Sequence, residues 1–330
     1  MLHKRLAASA VILTFLGILL HFDFHHPLMG VGGLLLLPLL LLIALLATAE
    51  LGEMLIKGGL DLRLKHVLFG VALVHVLTFI PALMDAFSVS GYPEDCPVGR
   101  VGWIGVGSVL AMCWLFLIEM RHFKEPGGSV QRLANGMLIV GYTGTAMSFL
   151  TILRTLQIGD AGYESAWGMC AIISVIVITK CGDSGAYFTG KSIGKHKMSP
   201  ILSPKKTIEG AMGAFVCGMA AAVVFGKWLV PSILSMVETS ETIGSVESGV
   251  VSDITAHSGA VWAWAMYGLV ITAAGMVGDL AESLIKRDTQ VKDSSTWVPG
   301  LGGVLDIMDS ITFSLVPAYL FWVSNWLIGS

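Results

Sequence analysis

Apolar residues run along this chain in stretches of bilayer-spanning length, separated by short polar connections. Continuous runs lie near residues 6–22, 33–50, 67–88, 101–120, 136–157, 165–180, 208–230, 260–279 and 310–328. A hydrocarbon core about 30 Å thick needs roughly 20 such residues in a helix. The pattern predicts an all-α, polytopic membrane protein with about nine transmembrane helices. Composition agrees, with 55% hydrophobic and 13% charged residues and a mean hydropathy of +0.78, against about 25% charged residues in a water-soluble domain. A soluble globule is excluded. The formal net charge of −3 singles out no partner, and no nucleic acid is expected.

Basic residues orient the spans. With nine helices and the N-terminus inside, 17 of the 20 Lys and Arg fall on the inner side. Only Arg100, Arg154 and Lys227 are left outside, and the stretch 231–259 holds acids but no Lys or Arg. The positive-inside rule therefore predicts a cytoplasmic N-terminus and an extracytoplasmic C-terminus in the cytoplasmic (inner) membrane. The first apolar run follows MLHKR as a signal peptide would, but no small-residue cleavage site precedes the second, so a retained anchor is expected.

Chemistry is unevenly distributed. Residues 1–160 read as a scaffold of helices with ordinary solvated connections, and 161–330 as a catalytic region with two cytoplasmic motif loops, 181–207 and 280–309. The five cysteines are scattered and odd in number, indicating neither a disulfide framework nor a zinc site. HFDFHH at 21–26 reads as an interfacial loop before it reads as a metal site. The tryptophans, including Trp228, Trp297, Trp322 and Trp326, read as membrane-interface anchors. Gly102, Gly105, Gly107, Gly141 and Gly144 would permit close helix packing.

In the first loop Asp183 is expected to end a hydrophobic helix, and a carboxylate there normally faces a cavity or a cation. Gly185, Gly190 and Gly194 punctuate a run containing Lys191, Lys195 and Lys197, whose backbone could approach phosphate. SPKKTIEG adds Lys205 and Lys206, with Thr207 as helix N-cap and Glu209 in the first turn. A positive-inside loop with an ordinary cap would explain the lysines but not Asp183 or Glu209. In the second loop Asp279, Glu282, Ser283 and Lys286 stand at i, i+3, i+4 and i+7, one face of a helix. Asp306 and Asp309 open the next helix at i and i+3. Carboxylates beside lysines suit a hard divalent cation with a polyphosphate, since Mg²⁺ takes one or two carboxylates plus phosphate oxygens. The glycines of PGLGG allow a sharp turn.

The spacing of Ser283, Lys286, Arg287, Lys292, Asp293, Pro299, Gly300, Gly302, Gly303, Asp306 and Asp309 resembles the signature of phosphatidate cytidylyltransferases, also called CDP-diacylglycerol synthases. Asp183, Ser184, Ala186, Tyr187 and Gly190, then Ser203, Pro204, Lys206, Thr207, Glu209 and Gly210, are similar to that family's other block. Arg154 also stands where the family tends to place an arginine. The resemblance covers the C-terminal half in detail. It implies transfer of CMP from CTP to phosphatidate, with the lipid phosphate as nucleophile. It further implies that Ser283, Lys286, Arg287, Lys292, Asp293 and Glu209 carry the chemistry. Ser203, Lys205, Lys206, Thr207, Tyr187, Lys195, Gly302 and Gly303 would bind substrate. Asp279, Asp306, Asp309 and Asp183 would hold Mg²⁺, two cations in all.

Two positions depart from the family pattern: Leu301 replaces a histidine and Ile307 an arginine. A CTP-dependent kinase of a polyprenol or phytol-like alcohol, a non-catalytic lipid-binding relative, and a transporter are the alternatives. The expected partners are CTP, phosphatidate, membrane lipid and a second copy of the chain in a homodimer.

Overall fold

The protein is seen here as a computed structural model. It describes residues 2–88, 90–93, 95–157, 164–241, 259–291, 294, 295, 297, 302–324, 326 and 327, excluding the side chains of 2–10, 13, 164 and 237–241. The helices are α1 (Leu2–His25), α2 (Leu37–Lys57), α3 (Leu64–Thr78), α4 (Ile80–Phe87), α5 (Gly99–Arg121), α6 (Ser129–Ile139), α7 (Met147–Arg154), α8 (Glu164–Ile193), α9 (Ile208–Val224), α10 (Val230–Glu241), α11 (Val261–Asp288) and α12 (Val304–Val323). A two-stranded hairpin, β1 (Lys197–Ser199) and β2 (Ser203–Thr207), joins α8 to α9.

Seven helical segments among the described residues are long and apolar enough to cross a membrane, or eight if α3 and α4, bent by 43°, form one span. Pro81 in the first turn of α4 accounts for the bend, because proline cannot donate to the preceding turn. The chain is a multi-pass, all-α membrane protein. The expected run at 6–22 falls in α1, part of whose side chains lie outside the described residues.

The chain divides into two compact units. The first comprises Met1–Thr155 with Leu284–Thr312, the second Leu156–Ser283 with Phe313–Ser330. Leu284–Thr312, which holds most of the second motif loop, thus groups with the N-terminal helices.

In the first unit Ala44, Ala47 and Leu51 of α2 are buried, as are Val71 and Val74 of α3 and Ala111 of α5. Gly107 lets α5 close on α3, since a Cβ there would stand 2.8 Å from Val74 Cα. Of the other glycines expected to mediate packing, Gly144 lies against Val71 and Val74, Gly102 meets only Val98 of its own chain region, and Gly105 and Gly141 face open space. A π-helical turn at Val140–Ala146 links α6 to α7. It places Thr143 2.7 Å from Thr48 Oγ1 and its carbonyl 3.1 Å from His75 Nε2.

HFDFHH is not an interfacial loop. It completes α1 through His25, and Asp23 is fully buried in an ion pair with fully buried Arg154. Asp23 also accepts from the Gly33 amide at 3.0 and 3.1 Å. Gly33 turns there at φ +93°, where a Cβ would press on Arg154. A buried carboxylate so supplied with donors has its desolvation offset.

The second unit packs around aromatic side chains. Trp264, Tyr267 and Trp322 are fully buried, with Trp322 6.1 Å from Trp167 and 5.9 Å from Trp264 between ring centres. The Trp322 indole donates to Tyr267 Oη at 3.3 Å and Ser174 Oγ at 3.4 Å. Trp322 is therefore a core residue and not an interface anchor, because its one polar atom finds partners inside. Trp228, Trp297 and Trp326 are exposed, in keeping with the expected role. The five cysteines are free thiols.

Candidate active site

Two small-residue stripes set the geometry of the second unit. On α8, Gly182, Ala186 and Gly190 recur every four residues, and on α9 the buried residues Gly210, Ala214, Gly218 and Ala222 do the same. Such stripes let backbones approach closely. A Cβ on Gly210 would lie 3.0 Å from the Ala186 carbonyl, and one on Gly185 2.7 Å from the Gly213 carbonyl. Gly185 and Gly190 of the expected glycine-punctuated loop are therefore helical, and Gly190 lines the cleft described below. α8 runs unbroken past Asp183 to Ile193, with Gly185 close against Gly213 and Cys217 of α9, Gly190 against Thr207 and Gly182 against Thr272 of α11.

The hairpin then places the lysines. Lys197 pairs with Thr207 and Ser199 with Ser203, which sets Lys205 and Lys206 directly before α9. Thr207 caps that helix as expected: its backbone is extended and its hydroxyl accepts from the Gly210 amide at 3.1 Å. A cap of this kind is worth about 1 kcal/mol.

Between these elements lies a cleft of about 370 Å³, lined by Asp183, Tyr187, Lys191, Lys205, Lys206, Thr207 and Asp279, with Ala214, Gly275 and Met276 among its apolar lining. Lys206 Nζ stands 2.6 Å from Asp279 Oδ2, and Lys180 Nζ 3.4 Å from Asp183 Oδ2. The side chains of Asp279 and Asp183 remain 34% and 45% exposed, so a ligand can reach both. Lys191 Nζ lies over the Tyr187 ring at 5.6 Å, a cation–π contact. The cleft thus offers cationic side chains to an anion and two carboxylates to a cation.

Other predicted residues of this region lie elsewhere. Glu209 folds back on the connection before β1, accepting from the Lys195 amide at 3.0 Å and from His196 Nδ1 at 2.6 Å. Its carboxylate thereby holds the turn that carries the hairpin. Lys195 is exposed, and neither it nor Ser203 lines the cleft. Ser283 stands on α11, which runs through Asp279, Glu282 and Lys286 as the one-face pattern required. Lys292, Asp293 and Leu301 lie outside the described residues.

The first unit holds a second charged cluster. Lys286 is ion-paired with Asp306. The other Asp306 oxygen accepts from the Gly303 amide at 2.6 Å and from Ser294 Oγ at 2.7 Å. Asp309 is buried and accepts from the Ser310 amide at 2.5 Å. Arg287 is exposed. Glu50 of α2, which sequence reasoning passed over, joins this cluster with four hydrogen bonds to residues 294–305. Its signal was available: an acid seven positions before Lys57, on the buried side of a largely apolar helix. Gly302 and Gly303 are accounted for here, since side chains on them would strike Asp306, and Ser294 with Glu50, respectively.

No group of three or more His, Cys, Asp or Glu is arranged to hold an ion among the described residues. Asp183 and Asp279 share the cleft of the second unit, whereas Asp306 and Asp309 belong to the first. Two carboxylates beside lysines are a donor set that fits a hard divalent cation drawing its remaining ligands from phosphate oxygens.

Known proteins carry the same sequence pattern. The chain is 28% identical over 285 residues to the phosphatidate cytidylyltransferase of Staphylococcus saprophyticus, covering 83% of this chain and 94% of that one. It is 29% identical over 225 residues to that of Bacillus subtilis, covering 62% and 73%. It is 28% identical over 234 residues to that of Mycobacterium tuberculosis, covering 68% of this chain. The chain spans only 60 to 65% of the length of the mycobacterial relatives it matches. The sequence profile of the cytidylyltransferase family matches residues 5–324, nearly end to end, and the chain belongs to that family.

Proposed function

We propose that this chain transfers the CMP moiety of CTP to the phosphate of phosphatidate, giving CDP-diacylglycerol and pyrophosphate, in the cytoplasmic membrane. The observation that carries this reading is the cleft of the second unit, where Lys191, Lys205 and Lys206 line the same space as Asp183 and Asp279. Two substrates that both bear phosphate need such a mixture. The relatives' name, phosphatidate cytidylyltransferase, supports the same chemistry.

A phosphate oxygen of phosphatidate forms a bond to the α-phosphorus of CTP as the bond to the β-phosphate oxygen breaks, and pyrophosphate leaves. No protein nucleophile enters, so the chain's contribution is positioning and charge neutralisation. Lys205 and Lys206 hold substrate phosphates, and Lys206 does so by exchanging its present partner, Asp279, for them. Asp279 and Asp183 are then the residues that would hold Mg²⁺. When bound, that ion neutralises phosphate charge and favours the departure of pyrophosphate. Lys286 and Asp306 are assigned to the same reaction as a second charged pair. Around this site the reading places nine spans, with the N-terminus in the cytoplasm and the C-terminus outside. The test is product analysis: the purified chain, incubated with phosphatidate and CTP labelled in its α-phosphate, is expected to convert label into CDP-diacylglycerol. Labelled product absent from a folded, lipid-supplied preparation would overturn the proposal.

A further inference from the structure

We propose that Glu50 is a positioning residue for the Lys286–Asp306 pair, which it reaches from α2 across 244 residues of sequence; the inference rests on the activity proposed above. Glu50 is 1% exposed in a largely apolar helix, whereas Glu53 one turn on faces out. One carboxylate oxygen accepts from Ser295 Oγ at 2.6 Å and the Val304 amide at 3.0 Å. The other accepts from the Leu305 amide at 2.8 Å and Ser294 Oγ at 3.2 Å. Ser295 and the two backbone amides are full donors, while Ser294 shares its single hydroxyl hydrogen between Glu50 and Asp306. Ser294 Oγ also stands 2.7 Å from Asp306, so a single hydroxyl bridges Glu50 to the carboxylate that pairs with Lys286.

The arrangement has a chemical consequence. Val304 and Leu305 are the first residues of α12, and their amides point at the place where an anion would otherwise bind a helix start. Glu50 occupies that place with the chain's own charge. Substrate phosphate is thereby kept off the α12 amides, and Asp306 is held in the first turn with its other oxygen toward Lys286. Gly303 serves the same end, because a side chain there would take the space of the Glu50 carboxylate. A buried acid is costly unless it is hydrogen-bonded, and here the donors all come from the segment that carries Asp306.

Glu50→Gln is the discriminating variant. Its amide nitrogen must face a backbone N–H, at Leu305 or Val304, that cannot turn away. Relative to wild type, kcat per folded molecule is expected to fall by about tenfold or more, with KM for CTP changed by less than about twofold. Hydrogen exchange of the ligand-free protein should show faster exchange at the Val304 and Leu305 amides. Glu53→Gln, one turn along α2 at an exposed pair with Lys57, is expected to match wild type in both readouts. Ser295→Ala, which removes one donor and leaves the acid in place, should give a smaller fall in kcat of about threefold. It serves as the test if Glu50→Gln does not fold. Wild-type kcat in Glu50→Gln, or in Ser295→Ala where only that protein folds, would overturn the proposal. So would unchanged exchange at residues 304 and 305. A wild-type chain that makes no CDP-diacylglycerol would refute the activity instead, and the exchange comparison would still decide whether Glu50 fixes the start of α12.

Discussion

At the residue scale, the charged groups sort by burial into those that build the molecule and those that meet a ligand. Asp23 and Arg154 are of the first kind, both fully buried and paired. Arg154→Leu should lower stability by about 3–5 kcal/mol, the usual cost of leaving the partner charge buried and alone. Its melting temperature, set beside that of Asp23→Asn, measures this, and a melting temperature equal to wild type for Arg154→Leu would show the pair to be idle. Asp183, Asp279 and Lys206 are of the second kind, being partly exposed in a cleft. The sequence made these legible, because an acid in an apolar stretch stands out whatever it does. It did not separate Glu209, whose spacing fits a catalytic acid as well as the brace it forms with Lys195 and His196. Glu50 stood out equally and was passed over, for its donors come from a segment more than 240 residues away that leaves no local trace.

At the element scale, hydrophobic run length located the helices well and their polar ends badly. Gly185, Gly190 and Gly194 read as loop punctuation, yet α8 continues through the first two, Gly185 against Gly213 and Cys217 of α9 and Gly190 against Thr207 and Gly210. Periodicity of four in small residues carried that information, and it becomes decisive only once the partner helix is known. The same contact gives a test. Gly185→Ala places a methyl against the Gly213 carbonyl and Cys217. It should destabilise the protein by about 1–3 kcal/mol, as overpacking does, and reduce turnover by shifting α8 and the hairpin lysines. Gly105→Ala meets nothing within 4 Å and should stay within ~0.5 kcal/mol of wild type. Thermal unfolding in detergent compares them, and equal melting temperatures would show that α8 and α9 have slack at this point.

At the scale of the whole molecule, sequence predicted a membrane protein whose chemistry sits in its C-terminal half. The apolar helices agree with the membrane class, and the family match runs over nearly the whole chain. Less legible was that residues 284–312 group with the N-terminal helices. Orientation is the remaining property carried by the whole chain, and the distribution of 20 Lys and Arg predicts it. Reporters inserted near Glu125 should be cytoplasmic, and those near Thr242 or after Ser330 extracytoplasmic. The opposite labelling at any of the three would break the nine-span arrangement. The most direct test of the central claim is the rate of CDP-diacylglycerol formation from labelled CTP, phosphatidate and Mg²⁺ by wild type and Asp279→Asn at matched melting temperature. A turnover by wild type that falls about a hundredfold or more in the variant, ~3 kcal/mol of lost transition-state stabilisation, is the expected result, and equal rates in the two proteins would contradict the account.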